Sequence, residues 1–274
     1  MSAKIENFFR NHPVFTRESF EQAMGYVEKK NTGKNVLAHH IQQGHIVRIR
    51  RGLFAAIPYG ADAVTYPINP YLVANALADD AVIAYHTALT FYGVAYSSIY
   101  RFVYLTQSKP RVLEFRDINY QSALFPATLI SKKKTHCYIN KEDVQGIDIL
   151  ITSKERTLVD VMDRPLLGGG WEEIWRSLDM MQRFNIEDIV DYALILENST
   201  TIAKVGFYLE QRKEELNLDE QYLLVLQQHR PASPHYIDGA RKVKCKYIKR
   251  WNLMIPESII NRDWEEELQW ESKI

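Results

Sequence analysis

Residues 33–58, GKNVLAHHIQQGHIVRIRRGLFAAIP, decide how the fold is read. With Leu37 at the centre of a buried helical face, Val36, His40 and Ile41 fall beside it. Asn35, His39 and Gln42 then point the other way, with Lys34 in the first turn. The spacing predicts a helix over 33–43, closed by Gly44. Downstream, Val47 and Ile49 share one face of a strand and Arg48 and Arg50 the other. Arg51-Gly52 supplies a turn and LFAAI returns as a second strand. A short helix with a polar outer face fits the major groove, and an arginine-tipped ribbon can meet phosphates or enter the minor groove. Together they predict a winged helix-turn-helix. The competing reading is a small helical domain whose arginine-rich hairpin faces solvent, with Asn35 and His39 as plain surface residues.

The residues upstream complete the motif. Ile5, Phe8 and Phe9 have helical spacing, and His12-Pro13 ends that helix. Thr16 suits the N-cap of a second helix with Phe20, Ala23 and Met24 on one face and Gly25 at its stop. Residues 1–60 hold nine Lys/Arg against four Glu, although the whole chain is neutral. Residues 241–250 hold six Lys/Arg and no acid, and residues 263–271 are acidic. Charge segregated in this way suggests separate surfaces for separate partners. The expected domains are 1–60, a helix-turn-helix module; 61–70, a turn-rich linker; and 71–274, a larger mixed domain. The fold class expected is α+β.

In that larger part, residues 71–93 predict one or two helices. Strands are expected in YRFVYLT, VLEFR, THCYI and GIDILIT. Thr152-Ser153-Lys154-Glu155 resembles a capping box opening a helix with Leu158, Val161 and Met162 on one face and Arg164-Pro165 as its stop. Further amphipathic helices carry Trp171, Ile174, Trp175, Leu178 and Met181; then Ile189, Tyr192, Ala193 and Leu196, capped by Asn185 with Asp188; then Ile202, Val205, Gly206 and Leu209. In KVKCKYIKRW, Lys242, Lys244 and Lys246 alternate with Val243, Cys245 and Tyr247. That face is read either as a solvated edge strand or as a second anionic contact. Lys132-Lys133-Lys134 reads as a solvated loop.

Motifs for catalysis are weak. Gly168-Gly169-Gly170 is followed by Trp171 where a phosphate loop needs Lys-Ser/Thr, and Gly33-Lys34-Asn35 lacks the earlier glycine and the hydroxyl. His39, His40 and His45 have no thiolate beside them and the first two diverge, so no metal site is expected. Asp148, Lys154 and Glu155 stand in the wrong order for a metal-dependent nuclease. Cys137 and Cys245 are too few for a disulfide framework. No run of eighteen apolar residues or secretory layout is present, and the expected setting is a reducing cytoplasm, with no membrane partner, no cofactor and no enzymatic activity.

Several stretches taken in order resemble the AbiEi family of antitoxins: GHIVRIRRGLFAAIP, YHTALTFYG, ITSKERTLVDVMDRP, LGGGWEEIWRSL, YALILENSTTIAKVGFYLE and KRWNLMIP. The resemblance spans about residues 14–256. It implies an antitoxin of a type IV toxin–antitoxin, abortive-infection system, active in phage defence. Its winged helix would bind inverted repeats in its own promoter and repress transcription, and its larger region would counter a nucleotidyltransferase toxin that uses GTP. The resemblance places Arg48, Arg50 and Arg51 in the wing and Lys34, Asn35 and His39 in the recognition helix. That helix is less basic here than in many relatives. Glu155, Arg156 and Asp160 look like signature residues with structural roles, by capping and by a helix-surface ion pair. The alternative is a ligand-responsive winged-helix regulator, unlinked to a toxin, with a pocket in its middle domain.

Overall fold

The computed structural model describes residues 2–28, 31–237 and 243–262. The architecture is mixed α and β, and the chain forms two compact units that interleave in sequence. The first takes residues 1–83, 100–123 and 141–151; the second takes the remainder. The stretch 61–70 lies inside the first unit, and the segment 71–274 is divided between both.

The first unit begins with α1 (Ala3–Asn11), β1 (Val14–Thr16), α2 (Arg17–Met24), α3 (Thr32–Gln42), β2 (Ile46–Arg50) and β3 (Leu53–Ala56). The three strands form a sheet in the order β1-β3-β2, antiparallel throughout. Its core is Ile5, Phe8, Phe9, Phe15, Phe20, Leu37, Ile46 and Phe54. Phe8 stacks edge-on against Phe15 and Phe20, at 5.2 and 5.4 Å between ring centroids. Each such aromatic contact adds about 0.5–1.5 kcal/mol to the area it buries. The expected caps form: Thr16 Oγ1 accepts from Ser19 N at 3.1 Å, and Gly25 ends α2 with φ of 72°.

Three details differ from the sequence reading. The strand β1 is too short to show alternation, and exists because β3 offers it an edge. Ala23 is exposed, since Phe20 and the half-buried Met24 cover the core face of α2. A bulge between Arg48 and Arg50 breaks the period of two, so Ile46 and Ile49 are the buried residues of β2 and Val47 is half-buried.

The same unit holds a six-stranded sheet, built from β4 (Val82–Ile83), β5 (Arg101–Thr106), β6 (Val112–Phe115), β7 (Ile118–Leu124), β8 (Ile139–Val144) and β9 (Ile147–Thr152). Their order is β6-β7-β5-β4-β9-β8. The central β4 falls inside the stretch read as one or two helices: α4 (Pro70–Asn75) precedes it, capped by Asn69, whose Oδ1 accepts from Tyr71 N at 3.0 Å. Only two residues long, β4 pairs antiparallel with β5 and parallel with β9, and both its side chains are buried. The expected strand THCYI is a turn instead, and β8 starts only at Ile139. Tyr138 lies at φ of 54°, and the carbonyls of Thr135 and Cys137 accept from Arg156, which a strand would not permit.

The second unit is mostly helical: α5 (His86–Phe91), α6 (Ala127–Ser131), α7 (Lys154–Asp163), α8 (Trp171–Met180), α9 (Ile186–Leu196), α10 (Ser199–Gln211) and α11 (Glu220–Gln228). It adds β10 (His235–Tyr236), β11 (Cys245–Ile248), β12 (Leu253–Pro256) and α12 (Glu257–Asn261), with the strands in the order β10-β12-β11. The helix α7 is capped by Ser153, whose Oγ accepts from Arg156 N at 3.2 Å; Thr152 instead bonds Thr157. Glu155 turns away from this cap and accepts from Asn185 N at 3.1 Å, the residue that caps α9. The pair Arg156–Asp160 is not on the surface: both side chains are fully buried, at 3.2 Å. A face that reads as solvated by charge alone is covered here, because α9 and α10 pack on α7.

Candidate nucleic-acid interface

The helix α3 is held from below by close packing. Leu37 and His40 are buried, and Gly33 sits so near Glu21 of α2 that a Cβ there would fall 2.3 Å from its carboxylate oxygen. Glu21 is fixed in turn by Arg17, Nε to Oε1 at 2.7 Å. With its inner face occupied, α3 leaves Lys34, Asn35, His39 and Gln42 exposed, as the spacing predicts. Ala38 and Gln43 are exposed beside them, which the sequence reading did not anticipate.

His40 is the polar member of the inner face. It is 4% exposed, its Nδ1 stands 3.0 Å from His45 Nδ1, and its ring meets the edge of Phe9. Burial, and next the charges of His45 and His39, lower its pKa to about 4. At neutral pH His40 is therefore uncharged, and one of the two facing nitrogens carries the shared proton.

The β2–β3 hairpin turns at Arg51-Gly52, with Gly52 at φ of 81°. The Gly52 carbonyl accepts from Arg17 N at 2.8 Å, which ties the hairpin tip to the start of α2. The three predicted arginines separate. Arg48 is exposed, with its guanidinium 6.0 Å from the ring centre of Phe54, and Arg51 is exposed at the turn. Arg50 is half-buried, and its Nη2 donates to the carbonyl of Leu77 at 3.1 Å. The bulge ahead of Arg50 takes it off the face it would share with Arg48 in a regular strand. Arg17 contributes its backbone N here, while its guanidinium is held by Glu21.

The second predicted basic surface is only partly assembled. Lys246 is exposed on β11, an edge strand of its sheet. Lys244 is exposed but pairs with Glu257 at 2.8 Å. Lys242 lies outside the described residues. Of the lysine run at 132–134, Lys132 pairs with Glu197 at 2.5 Å.

Among the described residues, no three His, Cys, Asp or Glu side chains gather as a metal would need, and no helix is long and apolar enough to cross a membrane. A polar site of another kind occupies the second unit: Glu173 accepts from His86 Nε2 and Ser97 N, both at 3.0 Å, and from Ser97 Oγ at 2.6 Å and Ser177 Oγ at 3.1 Å. Its carboxylate is thus saturated by the protein's own donors. Burial pushes its pKa up, but the Ser97 and His86 donors outweigh that and hold it below the usual value. The arrangement fastens α5 and the following loop to α8.

No protein-family model matches the sequence, and no curated protein does. Among solved structures, the chain is similar to the RV2827C protein from Mycobacterium tuberculosis, with a TM-score of 0.59 and 16% sequence identity. The likeness covers 92% of this chain and 89% of that one, and at this identity it speaks to the fold alone.

Proposed function

We propose that residues 1–60 are a winged helix-turn-helix that binds double-stranded DNA, and that the protein is a non-enzymatic antitoxin and autorepressor. The observation that carries the DNA-binding part is the pairing of two exposed features on one small module. The row Lys34, Asn35, His39 and Gln42 runs along α3, and the hairpin of Arg48 and Arg51 follows it in the order that such modules use. In this reading α3 enters the major groove, where Asn35, His39 and Gln42 meet base edges. Lys34, Arg48 and Arg51 neutralise phosphates, while Arg50 braces the hairpin. The antitoxin part rests on the sequence resemblance: the DNA is the protein's own promoter with its inverted repeats, and the partner is a nucleotidyltransferase toxin.

The test is a titration of the full chain against its upstream promoter fragment and a scrambled fragment at two salt concentrations. Tighter binding to the promoter that weakens steeply with salt is expected. Equal binding to both fragments, or none, removes the repressor reading. Co-expression with a nucleotidyltransferase encoded beside this gene, which the resemblance implies, tests the rest: growth restored by this protein is the expected result, and undiminished toxicity overturns it.

A further inference from the structure

A cleft of about 720 Å³ opens within the first unit, between α1 and the segment that leaves β3. Phe9, Ile57 and Tyr66 give it apolar and aromatic walls, and Tyr59 stands at the lip with 95% of its surface exposed. Arg10 and His45 bring nitrogen donors to the same space, with Glu6 beside Arg10.

The wall carrying Tyr66 is built in advance. Asp62 accepts from Val64 N at 3.1 Å and from Thr65 Oγ1 at 2.9 Å. The Arg116 guanidinium donates to the carbonyls of both Ala63 and Tyr66. Pre-formed concave sites with mostly apolar walls and a few placed polar groups are the usual form of a small-molecule pocket.

The polar groups select the ligand. Arg10 pairs with Glu6 at 2.8 Å, but both side chains are largely in water, where such pairs are weak. A ligand carboxylate can therefore take Arg10 from Glu6 at little cost. His45 Nδ1 is engaged by His40, so Nε2 is the ring nitrogen left for a ligand. We propose that this cleft binds a small aromatic carboxylate, with its ring against Phe9, Tyr59 and Tyr66 and its carboxylate on Arg10 and His45.

His45 also connects the cleft to α3. Its N donates to the His40 carbonyl at 3.0 Å and its carbonyl accepts from Ile57 N at 2.9 Å. A ligand that draws on His45 thus acts on the last turn of the helix assigned to DNA. This coupling rests on the DNA-binding reading; the site does not.

The test is calorimetry on the full chain with phenylacetate and indole-3-acetate, each beside its neutral amide. The acids are expected to bind about tenfold or more tightly than the amides, as a charge-assisted contact requires. Arg10→Gln should weaken the acids about tenfold and leave the amides unchanged, and Tyr59→Ala should weaken both. Both residues are exposed, so these variants keep the fold. No heat from either acid at about 5 mM, equal binding of acid and amide, or unchanged acid binding by Arg10→Gln each overturns the proposal. Promoter affinity with and without phenylacetate reads the coupling separately. A shift that vanishes in Arg10→Gln supports it, and an unchanged affinity with phenylacetate bound overturns the coupling alone. Loss of all promoter binding while the acids still bind would overturn the DNA reading and leave the site standing.

Discussion

Arg156 and Asp160, one turn apart on α7, form an ion pair in the interior of the second unit: Nε to Oδ2 is 3.2 Å and neither side chain reaches solvent. Asp160 Oδ1 also accepts from Tyr192 OH at 2.7 Å, and Arg156 Nη1 donates to the carbonyls of Thr135 and Cys137 at 2.9 and 2.7 Å. The pair thereby holds three separate stretches of chain. Removing one partner leaves a buried charge uncompensated, which costs about 3–5 kcal/mol. Asp160→Ala should lower the urea midpoint accordingly. A drop in stability under about 1 kcal/mol would show that water reaches the site.

Gly206 is set by its neighbour. A Cβ at this position of α10 would lie 2.2 Å from Cζ3 of Trp251, whose indole is fully buried and donates to Glu210. Gly206→Ala should cost about 1–3 kcal/mol by overpacking, despite alanine's better helix propensity. Thermal unfolding with tryptophan fluorescence would measure it. A stabilised variant would mean that Trp251 moves aside freely.

His40 predicts a pH dependence of stability. Its folded pKa of about 4 lies below the ordinary 6.5, so between these values the unfolded chain binds more protons. The contribution is complete above about pH 6.5 and is lost as the pH falls toward 4, at no more than about 1.4 kcal/mol per pH unit. Urea midpoints of wild type and His40→Asn at pH 7.5 and 5.0 check this, with the smaller drop expected in the variant. Equal drops would assign the acid sensitivity to other groups.

If the proposed DNA binding holds, the three hairpin arginines should behave differently. Arg48→Ala with Arg51→Ala should weaken binding to all DNA sequences and reduce the salt slope by about two, one for each phosphate no longer neutralised. Arg50→Ala, which removes the bond to Leu77, should mainly lower thermal stability. A fall in salt slope for Arg50→Ala as large as for the other two would place Arg50 on the DNA. By contrast, Asn35→Ala or His39→Ala should change which base is preferred, read by competition with single-base promoter variants.

Part of the fold is legible in the chain for a definite reason. The inner and outer faces of α3, and the apolar faces of α8, α9 and α10, follow from a period that one chain carries by itself. Caps such as Thr16 and Asn185, and the stop at Arg164-Pro165, are equally local, since each satisfies backbone groups within a few residues. The cleft is not legible, because Phe9, His45, Tyr66 and Gln145 come from distant parts of the chain. Nor is the fate of Arg50, whose acceptor is a backbone carbonyl 27 residues away.

By itself, then, the sequence determined the caps of α2 and α9, the stop of α7 and which helix faces seek the interior, through local hydrogen bonding and hydrophobic periodicity. It also determined that α3 presents Lys34, Asn35, His39 and Gln42 together. Only the tertiary structure decided which charges stay in water. Arg48 and Arg51 remain exposed while Arg50 and Arg156 do not, because burial of a charged group depends on what packs over it and on which distant carbonyls and carboxylates arrive to satisfy it. The two-residue strand β4 follows the same logic: Val82 and Ile83 favour a strand but are too short a run to announce one, and pairing with β5 and β9 makes it one.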